Sequence, residues 1–448
     1  MNNVRYNPNR FLWGGLVLFV AVANDLIAIS IGFELKLGFI MLVFFALIIW
    51  LTIIASVSPT YYFDKNDVPI LIWALLAVVL CVINGGIRNY VYTAALLVYL
   101  GMVLGAKAPW LGMLKFRVFD LYLLSGIIIS AIGIGQFLIA LLGLGDMFFV
   151  QQWWYEGAIA RVNGLMYEPS YYALVVFPYF LLSFFLLNDE RLNSKRNHIT
   201  HCLFYCSAFS LILSSSRLAL VAVMLAMPSV AIYRFIVLPS TRRYWKGDIC
   251  RFIGFICVTV LFFIIVSFSV DYLAKRPVTQ NTPQVETHIR QSVMNGTGIG
   301  GTADHSVSIR RQDMLDTVEL ASQHLWVGVG MGNVAKGIAY NKGISNPTSE
   351  DIRANEGLVP ILEITAATGV VGIALFLGWL LWTTVPHLLK KPMTESELLK
   401  TGMCIAVLGQ FLLMQGNQNI LRMYFWVTLF ILMIFNYAEK KKLRVKNE

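Results

Sequence analysis

ITAATGVVGIALFLGWLLWTTV, Ile364–Val385, runs for 22 residues without a charge. LGFIMLVFFALIIWLTIIASV, Leu37–Val57, does the same over 21. As helices, both are long enough to cross about 30 Å of hydrocarbon. Runs of this kind exclude a soluble fold. The composition agrees, with 57% hydrophobic and only 13% charged residues, where soluble domains carry about a quarter charged. Working outward by hydropathy gives twelve candidate spans: Phe11–Phe33, Leu37–Val57, Val68–Asn84, Val91–Ala106, Leu121–Gly145, Pro169–Asn188, Thr200–Ser216, Leu218–Tyr233, Phe252–Val270, Ile364–Val385, Thr401–Gln415 and Met423–Tyr437. The expected fold is an all-α polytopic membrane protein.

Charge sets the orientation. Arg191, Lys195 and Arg196, the group Arg234, Arg242, Arg243, Lys246 and Arg251, and the tail Lys440–Lys446 all fall on one side of these spans. Short loops rich in Lys and Arg stay cytoplasmic, so both termini are expected there. The net charge of +10 follows from this bias, with no nucleic-acid partner implied. The N-terminal MNNVRYNPNR and the apolar run after it read as a retained signal anchor, since no small-residue cleavage site follows. The six cysteines fall in spans or at cytoplasmic ends. Cys202 and Cys206 share a helix face but lack partners at ligand spacing, so neither a disulfide nor a metal site is expected.

Four regions result: residues 1–145 with five spans, 146–272 with spans six to nine, a long periplasmic loop 273–363, and 364–448 with the last three spans and the basic tail. Within the second, 146–168 carries Phe148, Phe149, Trp153, Trp154 and Tyr155, a composition that suits the lipid–water interface. The long loop reads as partly helical. Thr282-Pro283 is a helix start and Asn295-Gly296 a stop. A second helix is expected over Arg310–Gln323, with Met314, Leu315, Val318 and Ala321 on one face. Gly296–Gly301 resembles a phosphate loop but lacks the Lys-Ser/Thr that follows one; it reads as a flexible link. His288, His305 and His324 share the loop without metal-ligand spacing.

Against that orientation, Arg161, Arg217 and Arg422 lie at exterior ends of hydrophobic segments. A guanidinium offers a planar fork of donors that fits phosphate oxygens. A boundary arginine also serves by snorkelling to headgroups, but a chain arranged only for insertion keeps such charges inside. As a set they point to an anion site, and a lipid pyrophosphate is the anion that suits a membrane surface. Among the acids, Glu363 sits at the mouth of the tenth span, Glu356 is seven residues earlier, and Glu168 precedes Pro169. Carboxylates at a membrane edge are functional candidates; each could receive a hydroxyl proton or hold helices together through an ion pair. Asp25, within the first span, reads as a packing group.

Four stretches together resemble the O-antigen ligase and Wzy-type polysaccharide polymerase superfamily of bacterial inner membranes. They are RVNGLMYEPSYYA (Arg161–Ala173), SSSRLAL (Ser214–Leu220), Arg311 through GVGMGN (Gly328–Asn333), and Glu363 through TGVVG (Thr368–Gly372). The resemblance spans about half the chain. It implies a metal-independent glycosyltransferase without cofactor, using undecaprenyl-pyrophosphate-linked glycan at the periplasmic face of the inner membrane. It implies membrane lipids, and a chain-length regulator protein, as partners. It places pyrophosphate-holding arginines at Arg161, Arg217 and Arg310 or Arg311. One departure bears on the acceptor: where ligases and many relatives carry a His-Asn pair, this chain has Leu358 and Val359. Asn355 and Glu356 stand one turn earlier. The departure favours a polymerase over a lipid A-core ligase; a flippase or transporter would place its charges at the bilayer midplane.

Overall fold

The computed structural model describes residues 28–30, 34–55, 65–144, 148, 150–155, 158–274, 302–355, 359–416 and 419–447. In chain order its elements are β1 (Ala28–Ser30), β2 (Glu34–Lys36), α1 (Leu37–Ile54), α2 (Val68–Asn84), α3 (Ile87–Gly105), α4 (Pro109–Met113), α5 (Lys115–Leu141), β3 (Gln152–Tyr155), β4 (Ile159–Arg161), α6 (Pro169–Leu186), α7 (Ser194–Ser214), α8 (Arg217–Val237), α9 (Trp245–Ala274), α10 (Thr302–Gln323), α11 (Val334–Asn341), α12 (Ser349–Ala354), α13 (Pro360–Leu388), α14 (Glu395–Met414) and α15 (Met423–Asn447). The two strand pairs are short antiparallel hairpins.

Among the described residues, nine helices are long and apolar enough to cross a membrane. They match the expected second to sixth and eighth to eleventh spans. The seventh is α7, whose polar residues lower its hydropathy; of these, Thr200, Ser207, Ser210 and Ser214 are buried and face protein. The twelfth is the apolar stretch Met423–Phe435 of α15. Most of Phe11–Phe33, with Asp25, lies outside the described residues, and its end at Ala28–Ser30 is strand rather than helix. Thr282, Asn295, His288 and Gly296–Gly301 also lie outside them. The fold is all-α and polytopic.

The chain forms two compact units, Gly126–Arg310 and Met1–Ser125 with Arg311–Glu448. In the first, α6 is the central element. Proline at its first position suits a helix start, and 16 of its 18 residues are buried, so α6 is enclosed by protein on every side. Tyr172 on α6 donates to Ser210 Oγ (2.9 Å) and Ser210 Oγ donates to Ser130 O (2.9 Å). These bonds satisfy hydroxyls that would be costly in hydrocarbon. On α8, by contrast, Val221, Leu225 and Ile232 are exposed, as expected of a lipid-facing side.

In the second unit, α13 packs against α2 and α14, while α15 packs against α3 and α14. The helix α13 is broken: Gly369 has φ 72°, ψ −178°. The backbone groups freed there are satisfied by the preceding loop. Val329 N–H donates to Ala366 O (2.9 Å), Gly330 N–H to Ala367 O (2.8 Å), and Val370 N–H to Leu325 O (2.7 Å). A Cβ at Gly369 would stand 2.1 Å from Trp326 O, so only glycine permits this approach. The Gly328–Asn333 turn and the Thr368–Gly372 stretch are thus two halves of one junction. Trp73 Nε1–H donates to Thr368 Oγ1 (3.1 Å) and ties α2 to it.

The loop helix α10 exists as expected, but of its apolar face only Ala321 is buried. Met314, Leu315 and Val318 are exposed, while Asp316, Thr317, Leu320 and Ala321 are buried. Polar pairing decides the matter. Asp316 accepts from Gln312 Nε2 (2.7 Å) and forms an ion pair with Lys342 (2.6 Å), and Thr317 Oγ1 donates to Asp313 O (2.6 Å). Within the aromatic segment 146–168, one residue takes an interior place. Trp154 is folded in as part of a buried cluster with Ile159, Val266 and Val270.

Candidate active site

The stretch Arg161–Ser170 is a tightly bonded turn between β4 and α6. Its organiser is Gln136 on α5, which is 3% exposed. Gln136 Oε1 accepts from Asn163 N (3.0 Å) and Gly164 N (2.9 Å), while Nε2 donates to Phe148 O (2.8 Å) and Gly164 O (3.2 Å). Asn163 Nδ2 donates to Met166 O (2.7 Å). Gly164 takes φ +54°, and a Cβ there would stand 2.7 Å from the Tyr172 ring, which accounts for glycine in the motif. A Gln136→Leu variant strands two buried N–H donors. A loss of about 1–3 kcal/mol of stability per donor is expected, read as a lower melting temperature of the detergent-solubilised protein.

This turn aims Arg161. Its Nη1 donates to Gln152 Oε1 (2.9 Å) across the hairpin, and its Nη2 to Ser215 O (3.4 Å). The guanidinium stands 5.7 Å over the Trp154 ring, and Trp154 Nε1–H donates to Ser215 Oγ (3.2 Å). Ser215 adopts the left-handed region at φ 51°. That conformation ends α7, and Ser216 N-caps α8, whose first residue is Arg217.

The electrostatics of this junction are unbalanced. Burial, and then the neighbouring Arg217 guanidinium, hold Arg161 below the ordinary guanidinium range; Glu168 offsets part of this. Arg217 occupies the positive end of a helix dipole, where a cation is unfavourable. Neither arginine forms an ion pair among the described residues. The buried Arg234 differs, since its Nη1 lies 2.9 Å from both oxygens of Asp248. Among the described residues, two guanidiniums and a helix N-terminus answered by Glu168 leave an excess of positive charge at this junction, an arrangement that suits an anion. Glu168 accepts from Ser170 Oγ (2.9 Å).

The other candidates fall in the second unit. Glu363, 4% exposed, accepts from Ile420 N (2.9 Å) at the turn that leads into Arg422 and α15. Ile361 N–H donates to Gln415 Oε1 (3.1 Å) at the same place. Glu363 therefore stitches α13 to the α14–α15 turn, with Arg422 two residues beyond its partner. Arg311 is exposed on α10; Arg310 is on the same helix, with its side chain outside the described residues. Glu356 and Leu358 also lie outside them. Asn355 is occupied at both ends, accepting from Lys342 Nζ (2.7 Å) and donating to Asp351 O (2.6 Å).

Sequence reasoning missed Gln136, Gln152, Trp154 and Ser215 as the groups that position Arg161. Gln136 carried a signal, an amide within an otherwise apolar run; the others had none before the hairpin was known.

Residues 202–377, about two fifths of the chain, match the family described as O-antigen ligase. The match includes Arg217, the Gly328–Asn333 turn, Glu363 and Gly369, and leaves out Arg161, Glu168 and Arg422. No curated protein matches the chain. An O-antigen-ligase-like region set in a multi-pass membrane protein supports an enzyme that processes lipid-linked glycans in polysaccharide biosynthesis.

Proposed function

We propose that the chain is a polysaccharide polymerase. It transfers a growing glycan from undecaprenyl pyrophosphate onto a lipid-linked repeat unit at the periplasmic face. The observation that carries the reading is the proximity of Arg161 and Arg217 at the start of α8, with Glu168 as the carboxylate acting on Arg161. The glycosyl donor arrives activated, so the enzyme's task is to accept charge as the pyrophosphate departs. Arg161, partly buried and held by Gln152 and Ser215, does this at little reorganisation cost, and Arg217 beside it adds a second positive charge. The acceptor hydroxyl must be aligned behind the anomeric carbon, and the acceptor oxygen forms the new bond as the carbon–pyrophosphate bond breaks. Glu168 receives the hydroxyl proton in this scheme. Arg310, Arg311, Arg422, Glu356 and Glu363 are proposed to serve the same reaction on the family resemblance and the charge rule alone.

Replacing Glu168 by Gln removes the proton acceptor while keeping the shape. Transfer is expected to slow by about 10²–10⁴-fold, measured as polymer formed by purified protein from lipid-linked repeat units. An unchanged rate removes Glu168 from this role.

The family match favours a second reading, a ligase that sends finished glycan to lipid A-core or protein. Deleting the gene separates the two. Loss of a polymerase leaves single repeat units on the final acceptor, whereas loss of a ligase leaves long chains on the lipid carrier. Polymerase is the proposal because Leu358 and Val359 stand where ligases carry His-Asn.

A further inference from the structure

A cavity of about 350 Å³ opens within the second unit between the α2–α3 turn and helices α10 and α11. Asn84, His324, Asn333, Lys336, Tyr340 and Asn341 line it, and among the described residues no carboxylate does. Ligand pockets run from about 300 to 1,000 Å³, so the volume suits one or two sugar rings. Three amides, an imidazole and an ammonium give it the hydrogen-bonding groups that a sugar needs. Both walls belong to segments that the charge rule places outside the cell.

We infer that this cavity is a glycan subsite that takes a carboxylate-bearing sugar. The inference rests on the glycosyl-transfer reading above and adds the class of sugar. The balance of donors and acceptors decides it. Lys336 forms no ion pair among the described residues and stands 5.3 Å over the Tyr340 ring, so its charge is held at the cavity wall without a counter-ion. Asn333 Nδ2–H is spent on Val329 O (3.1 Å), which fixes that side chain and leaves Oδ1 as its acceptor. A neutral sugar presents hydroxyl protons that carboxylates receive best, and none of the described residues lining this cavity is one. A uronic acid presents a carboxylate to Lys336, while its hydroxyls meet the amides. The ring of Tyr340 supplies an apolar wall for the pyranose C–H groups. The cavity residues come from stretches about 250 residues apart, which the turn at Asn333 brings to Gly85 (Asn333 Nδ2 to Gly85 O, 3.5 Å).

The test uses the full chain in detergent, titrated with glucuronic acid and with glucose and followed by saturation-transfer NMR. Glucuronic acid is expected to bind about tenfold or more tightly than glucose, because a charge-assisted hydrogen bond separates them. Lys336→Ala removes that preference, Lys336→Arg keeps it, and Tyr340→Ala weakens both sugars. Lys336 and Tyr340 are exposed, so these variants fold. Equal binding of the two sugars, or a preference that survives Lys336→Ala, overturns the subsite. Binding is read here without turnover. An Arg217 variant with normal polymer therefore sinks the transfer reading alone, and a failed titration with Arg217 essential sinks the subsite alone.

Discussion

Cells complemented with an Arg217→Ala variant are expected to lose long-chain polymer, with the transfer rate falling by about 10²–10³-fold. This is the cost of removing one preorganised donor from a site of developing negative charge. Arg217 is exposed at the first position of α8, so no packing is lost. The helix should in fact gain stability by about 0.3–1 kcal/mol, because a cation leaves the positive end of its dipole. An inactive variant with an unchanged or raised melting temperature is the signature of a residue kept for its ligand. Snorkelling makes the opposite forecast, normal polymer length and yield, and that result would remove the pyrophosphate role. Arg217→Lys keeps the charge but loses the planar fork, so an intermediate rate is expected. Arg161→Ala should match Arg217→Ala, and the double variant should fall less than the product of the two, since both act on one anion.

The spans were legible because burial in hydrocarbon imposes a length and an apolar composition that local sequence must meet. Positions set by partners distant in sequence were not. Met314, Leu315 and Val318 share an apolar face on α10, yet Asp316 is the residue held inside, by Lys342 from 26 positions on. Trp154 read as an interfacial aromatic because nothing nearby announces that Ser215 will accept its N–H. The arginine set was legible by its violation of the charge rule. That Arg161 and Arg217 are neighbours depends on the β3–β4 hairpin, whose register of Gln152 opposite Arg161 no periodicity encodes. Of the carboxylates, Glu168 stands by an arginine of the set, whereas Glu363 spends an oxygen on the Ile420 amide.

Gly369→Ala is expected to destabilise the protein by about 3 kcal/mol or more and to lower its amount in the membrane. The φ of 72° with extended ψ belongs to a region that essentially only glycine enters, worth about 1–3 kcal/mol by itself. The added Cβ would meet backbone, Trp326 O at 2.1 Å, which has no rotamer to yield. Retreat of Trp326 would break the Val370–Leu325 hydrogen bond, and the neighbouring Ala366 and Ala367 carbonyls would lose the donors at Val329 and Gly330. Unpaired backbone groups inside a membrane protein cost several kcal/mol each, so the junction should fail as a unit. Gly378→Ala is the matched control on the same helix, where a Cβ meets nothing within 4 Å; a gain of up to about 1 kcal/mol is expected there from helix propensity. Thermal melting of the two purified variants decides the matter. If Gly369→Ala melts with the parent and still makes no polymer, the glycine serves chemistry rather than the approach of two backbones.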